Sequence, residues 1–400
     1  MWFVSFSNGT NLFVFYCIGI YKELLRLKCI YLDNASTTKP SIAAVNAANE
    51  TFDINFGNPS SRHTLGFNAE KAVKNARGII ADALSVPAGE VYFTSCGSES
   101  NNMAIFGSLA AMRGKGRVIT SKVEHKSVLN VFKELENDGY DVIYIGCDNS
   151  GIINLNELSD ALTDDTQLVS IMHVNNEVGA IQPINKIYDL VKSKTKALLH
   201  VDNIQGFCKI PGKLNADMIS ISAHKIGGLK GCGALYIKKG IRIKPLIYGG
   251  GQENALRSGT ENVPGICAFG GAVSSIYVNN NFEKVTVLNA EMRKIEIGEI
   301  LSDEKCSPYI LAIAFEGLKS EVLLNALAMR GVYVSSGSAC ASNHPELSHV
   351  LLSMGVRKNL IDSTIRISFS PDMTIEDITE ARKIIEEEAS KLIMIMKVRR

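Results

Sequence analysis

Met218-Ile219-Ser220-Ile221-Ser222-Ala223-His224-Lys225 is a short apolar run that stops on small residues, an imidazole and an amine. Similar runs precede it at Glu90-Val91-Tyr92-Phe93, Arg117-Val118-Ile119-Thr120, Val142-Ile143-Tyr144-Ile145, Leu168-Val169-Ser170-Ile171-Met172 and Ala197-Leu198-Leu199-His200-Val201. Ala234-Leu235-Tyr236-Ile237 follows it. Segments of helix length separate these runs, and Val128, Val131, Phe132 and Leu135 repeat at helical spacing. The pattern predicts an α/β fold with a mostly parallel seven-stranded sheet covered on both faces. Ligands of such sheets bind outside the carboxyl ends of the strands, so residues that follow strands are candidates for function.

The chain has 400 residues, which suits a large domain and a smaller one. Beyond about residue 265 the pattern changes. A helix is expected from Phe282, a strand at Ile310–Phe315, a helix over Ser320–Met329, a strand at Ile365–Ser368 and a terminal helix over Ile375–Ile395. That order fits a smaller α+β domain. The expected organisation is a large domain over residues 28–262, with its N-terminal segment contributing to the small domain, and a small domain over 263–400. Residues 1–27 are expected to be a non-native or disordered extension. Their apolar stretch Asn11–Tyr21 is too short for a comfortable membrane span, and it lacks the basic flank and cleavage site of a signal peptide.

Lys plus Arg number 42 and Asp plus Glu 41, which argues against a nucleic-acid or membrane-surface protein. Nine cysteines without a CxxC pair argue against a disulfide framework and a zinc ribbon, and for a reducing compartment, hence the cytoplasm. The seven histidines include no HExxH, and no metal-ligand set is evident.

Several polar stretches follow predicted strands. Lys225, boxed in by small residues, is placed to be desolvated, which frees an amine for Schiff-base chemistry. A surface lysine is the ordinary alternative. Asp202 closes its strand as a turn residue would, or as the carboxylate that a pyridine nitrogen needs, with Gln205 within reach of the same ring. Cys96-Gly97-Ser98-Glu99 opens a helix, either as a plain N-cap or as a phosphate cradle. His125 is a loop histidine or a flat ring able to stack and to move protons. Asn175-Asn176-Glu177 suits a turn as well as a ligand. Cys340, in Ser335-Ser336-Gly337-Ser338-Ala339-Cys340-Ala341-Ser342, lies among small residues where a thiolate nucleophile can be exposed.

In this order the segments resemble the cysteine desulfurases, the NifS/IscS-like branch of the class V aminotransferase group of fold-type I pyridoxal-phosphate (PLP) enzymes. The resemblance runs from about Ile30 to Glu388. Its most specific pieces are Tyr31–Thr38, Phe56–Ser61, His173–Glu177, Ser222–Lys225, Arg257–Thr260 and the Cys340 segment. It implies PLP as cofactor, with Lys225 as its anchor and Asp202 at the pyridine nitrogen. Gln205 and Asn176 would lie beside the ring and His125 stacked on it. Gly97, Ser98, Ser222 and His224 would surround the phosphate, and Thr260 would reach a partner's phosphate in a homodimer. Arg366, with Asn34 and Asn176, would bind the substrate, L-cysteine, and Cys340 would receive its sulfur.

The implied products are L-alanine and a persulfide handed to an acceptor protein for iron–sulfur, thiamine or tRNA thiolation pathways. Selenocysteine lyase, another class V aminotransferase reaction, and a non-catalytic scaffold are the alternatives. Ser98, Asn203 and Leu229 stand where threonine, a small residue and proline are commoner in the family, and residues 285–306 are somewhat short for it.

Overall fold

The structure, a computed structural model, describes residues 28–277, 281–336 and 347–398. The N-terminal extension and the expected sulfur acceptor Cys340 lie outside the described residues. The strands up to residue 240 are β1 (Ile30–Tyr31), β2 (Val91–Thr94), β3 (Arg117–Ser121), β4 (Asp141–Ile145), β5 (Thr166–Met172), β6 (Leu198–Asp202), β7 (Met218–Ser222) and β8 (Gly233–Ile237). All seven runs quoted above form strands, and they make one sheet in the order β2-β8-β7-β6-β5-β3-β4. Its pairings are parallel except those of β8, which runs against both its neighbours. Strand β7 is buried at every position, because helices cover both faces of the sheet.

The covering helices follow their sequence pattern. Helix Lys126–Asn137 buries Val128, Val131, Phe132 and Leu135 and turns Lys133, Glu134 and Glu136 outward. Helices Ile42–Asp53 and Thr64–Leu84 bury mainly alanine, and helix Val263–Tyr277 packs Ile266, Phe269 and Val273 into the same core. A Cβ on Gly271 would sit 2.7 Å from the carbonyl oxygen of Ala43. Glycine at that position is what lets the two helices approach so closely.

A second core lies around an antiparallel sheet of β9 (Glu299–Ile300), β10 (Ile310–Ala314), β12 (Ser335–Ser336) and β13 (Thr364–Ser368), ordered β12-β13-β10-β9. Strand β11 (Val332–Tyr333) pairs in parallel with β1. Ile30, Leu32 and Ala35 are buried in this second core with Leu311, Ile313, Ile365 and Ile367. The segment from β1 to Thr38 therefore crosses from the second core to the carboxyl edge of the large sheet, where Thr38 Oγ1 donates to the His224 carbonyl at 2.8 Å. The short strands β1, β9, β11 and β12 carry no pattern of their own, since two residues are too few to show a period.

Candidate active site

A cavity of about 450 Å³ opens at the carboxyl ends of β2, β3, β5, β6 and β7. Each strand delivers one part of its wall: Gly97 and Ser98 after β2, His125 after β3, Asn176 after β5, Asp202 and Gln205 from β6, Ser222, His224 and Lys225 from β7. Arg366 enters from β13 of the other sheet, and Ala35 and Ser36 from the crossing segment. Asn34 and Thr260 do not line the cavity. Asn34 donates to the carbonyls of Tyr31 and Ser368, each at 3.0 Å, and fastens the crossing segment to β13. Thr260 is exposed on a loop held to helices Thr64–Leu84 and Gly97–Ala110 by two ion pairs, Arg77–Glu253 at 2.7 Å and Arg257–Glu99 at 2.9 Å.

Lys225 Nζ donates to the carbonyl oxygens of Ala35 and Ser36 at 2.7 and 2.8 Å. The half-buried amine is thus held by the crossing segment. The Asp202 carboxylate is buried and accepts from Ile204 N at 3.1 Å and from Asn101 Nδ2 at 2.8 Å. Burial pushes this carboxyl up, while His125, the Ile204 N–H, Asn101 and Lys225 all draw it back down. Burial holds His125 below the ordinary imidazole range, against the pull of Asp202. His224, whose Nδ1 lies 3.2 Å from Thr37 Oγ1, is pushed down to about 4 by burial and by Lys225. Arg366 is buried and forked: Nη1 donates to the Asn176 carbonyl at 2.9 Å, and Nη2 to Asp33 Oδ1 at 2.9 Å and Ser36 Oγ at 2.6 Å.

The paired amides divide their work. Asn175 builds the turn, accepting from Glu177 N at 2.8 Å and Val178 N at 3.0 Å, while Asn176 faces the cavity. Asn203 is also structural, with Oδ1 2.8 Å from His173 Nδ1.

Other residues gain their roles here only from the fold, and Glu177, noted in the sequence only as part of a turn, is one of them. Glu177 is buried, receives the Ser348 hydroxyl at 2.5 Å and is pushed up to about 7 by burial. Glu124 is pushed up to about 8 by burial and accepts from Ser121 Oγ and Met172 N. Lys209 is buried beneath Gln205, whose Oε1 it reaches at 3.2 Å. Asn101 and Ser127 join Asp202 to His125. Their burial and the long-range contacts of Glu177 with Ser348, Glu124 with Met172 and Asn101 with Asp202 come from folding, so no local signal marks them.

The residues fit PLP on grounds independent of resemblance. Ser222 Oγ is buried with no hydrogen-bond partner among the described residues. Such an orphan costs about 1–3 kcal/mol unless a ligand oxygen satisfies it. It stands beside the start of helix Gly97–Ala110, which no side chain caps. Exposed N–H groups at a helix start are what a phosphate needs. A Cβ on Gly97 would lie 2.1 Å from Ile204 Cδ1, so any larger residue there has to displace the Ile204 side chain. At the other end, a buried carboxylate and a lysine amine stand where a pyridine nitrogen and an aldehyde carbon are bound by complementary charge and chemistry.

A doubly covered sheet with this lysine, this carboxylate and this cradle defines a PLP-dependent enzyme of fold type I. Residues 30–380 match the aminotransferase class-V family. The chain is 40% identical over 378 residues to the cysteine desulfurase IscS of Methanosarcina thermophila, covering 91% of this chain and 93% of that protein. A solved NifS-like protein is 36% identical, with TM-score 0.85 over 91% of this chain and all of its own. A structure of SspA in complex with cysteine is 34% identical, with TM-score 0.78 over 86% of this chain and 99% of its own. The chain belongs to the cysteine desulfurase family of class V aminotransferases.

Proposed function

We propose that this pocket removes sulfur from L-cysteine with the division of labour that follows, and that the sulfur leaves on Cys340 for an acceptor protein. The observation that carries the reading is the convergence of Lys225, Asp202, His125 and Arg366 on one cavity from four separate strands or strand ends. PLP bound there supplies an electron sink for the charge that develops when the substrate loses its α-proton. Asp202 pairs with the ring nitrogen and keeps that sink charged. Gln205 and Asn176 fix the ring's edge, His125 covers its face, and Gly97, Ser98, Ser222 and His224 receive the phosphate. The Lys225 amine anchors the cofactor, then takes and returns the α-proton.

Arg366 binds the substrate carboxylate. Nη2 of its guanidinium already pairs with one carboxylate, Asp33, and a planar guanidinium suits a second. Asn34 holds the segment that carries Asp33 and Ser36, which places its effect on substrate one step away. The Cys340 thiolate attacks the substrate sulfur. The new S–S bond forms as the C–S bond breaks, its electron pair stays with carbon, and protonation there gives L-alanine.

Thr260, exposed and away from its own cavity, suits contact with a second subunit. Exposed Phe52, Ile54, Phe56, Phe67 and Tyr248 supply apolar surface for a homodimer. A reducing cytoplasm suits a reaction that starts from a free Cys340 thiolate. Among the described residues no helix is long and apolar enough to cross a membrane.

The test is to assay alanine and sulfide together from L-cysteine with a reductant, for the wild type, Cys340→Ser and Lys225→Ala. Equal alanine and sulfide are expected from the wild type. Both should be lost in Cys340→Ser with the PLP absorbance kept. Retained turnover in Cys340→Ser would overturn the assignment of the acceptor.

A further inference from the structure

Asn101 and Ser127 join two groups of the active site through buried hydrogen bonds. Asn101 Nδ2 lies 2.8 Å from Asp202 Oδ2 and 2.9 Å from Ser127 Oγ. Ser127 Oγ lies 2.8 Å from His125 Nδ1. Asn101 belongs to helix Gly97–Ala110 and Ser127 to helix Lys126–Asn137, so the connection bridges two helices that both start at the carboxyl edge of the sheet.

The direction of each bond follows from the groups at the ends. An ionised carboxylate only accepts, so Asp202 turns the amide nitrogen of Asn101 towards itself. The second N–H of that nitrogen donates to Ser127 Oγ. The Ser127 hydroxyl hydrogen is then left for His125 Nδ1. The backbone N–H of Ser127 also donates to Nδ1, at 3.1 Å, because His125 is the N-cap of its helix. Two donors converge on Nδ1, which therefore keeps its lone pair, and the neutral ring carries its proton on Nε2. Asn101 Oδ1 is buried with no partner among the described residues. The amide thus leaves its own acceptor unsatisfied, and its orientation is dictated by the partners of its nitrogen.

We propose that Asn101 and Ser127 are positioning residues that hold His125 in its Nε2-protonated form and tie that tautomer to the Asp202 carboxylate. The proposal rests on the roles given above to Asp202 and His125. It makes the group at the cofactor's nitrogen and the group over its face one hydrogen-bonded unit, and it presents a ring N–H rather than a lone pair at Nε2.

The test uses PLP-loaded protein labelled with ¹⁵N-histidine, as wild type, Asn101→Ala, Ser127→Ala, Ser127→Thr and His125→Gln. Long-range ¹H–¹⁵N correlation reads the tautomer, and the His125→Gln spectrum assigns the signal. The wild type should show the Nε2–H pattern. Both alanine variants should shift towards a tautomer mixture and lose kcat about tenfold with KM within about twofold, the loss of roughly one hydrogen bond to a charged network. Ser127→Thr keeps the hydroxyl and should restore both readings. Should Asn101→Ala fail to fold, the Ser127 pair decides alone. An Nδ1–H pattern in the wild type overturns the proposal. So does lost turnover with an unchanged tautomer, which assigns the two residues to packing. Wild-type turnover in His125→Gln would remove the catalytic reading of His125 instead, and the tautomer measurement would still judge the relay.

Discussion

Replacing Lys209 by methionine should stabilise the protein by an amount that depends on pH. Lys209 is buried, its ammonium reaches Gln205 Oε1 at 3.2 Å and lies 5.7 Å from the centre of the Tyr309 ring. Lys225 and Arg366 add positive charge nearby. Burial first, and those charges second, push the Lys209 amine from 10.5 down to about 7. The unfolded chain therefore binds more protons than the folded one between these values, and stability rises with pH across that window. Integrated, the penalty is ~5 kcal/mol at pH 6, ~3 kcal/mol at pH 8 and ~1 kcal/mol at pH 10. Methionine removes the penalty and gives up the Gln205 bond and the Tyr309 contact, together about 1–2 kcal/mol. The net gain should be ~3 kcal/mol at pH 6 and close to nothing at pH 10. Urea unfolding of PLP-depleted wild type and Lys209→Met across that range measures the difference, with Lys225 bearing its own charge. A difference that stays flat from pH 6 to 10 would refute the claim that Lys209 is held desolvated. Natural sequences keep such a cost where a site needs the group, and here the group holds Gln205.

Arg366→Lys should raise KM for L-cysteine about 10- to 100-fold, because a lysine cannot span Asn176, Asp33 and the substrate carboxylate with a planar fork. Steady-state kinetics on PLP-saturated protein checks this, and an unchanged KM would place the carboxylate elsewhere. Arg77→Leu should destabilise the protein by about 3–5 kcal/mol, since it strands the buried Glu253 carboxylate against β2. Thermal unfolding should show this loss, and the double change Arg77→Leu with Glu253→Leu should recover much of it. Gly97→Ala should weaken PLP binding, because the new methyl meets Ile204 beneath the cradle. Equilibrium dialysis of PLP reads the effect, and a wild-type affinity would show that Ile204 moves aside freely.

Much of this protein is written locally. The seven strands announce themselves as apolar runs because a sheet covered on both faces has no polar face to alternate, though at the edge strand β4 only Ile145 is buried. The cavity stands at their carboxyl ends, so the residues that follow each run, Lys225, Asp202, His125 and Asn176 among them, were legible as candidates before any contact was known. Strands of two residues were not legible, since their pairing is decided by what lies across from them.

The groups around the candidates were decided in three dimensions. Ala35 and Ser36 meet Lys225 across some 190 residues of chain, and Arg366 reaches Asp33 across 333. Lys209, Glu177, Asn101 and Ser127 are ordinary polar residues in sequence. Burial makes one an amine near neutrality and one a carboxyl near neutrality, and packing of two helices makes the others a relay. The sequence by itself determined the strand pattern and the residue types placed at strand ends. Tertiary structure decided their charge states and orientations, because desolvation and hydrogen-bond direction depend on neighbours that only folding brings together.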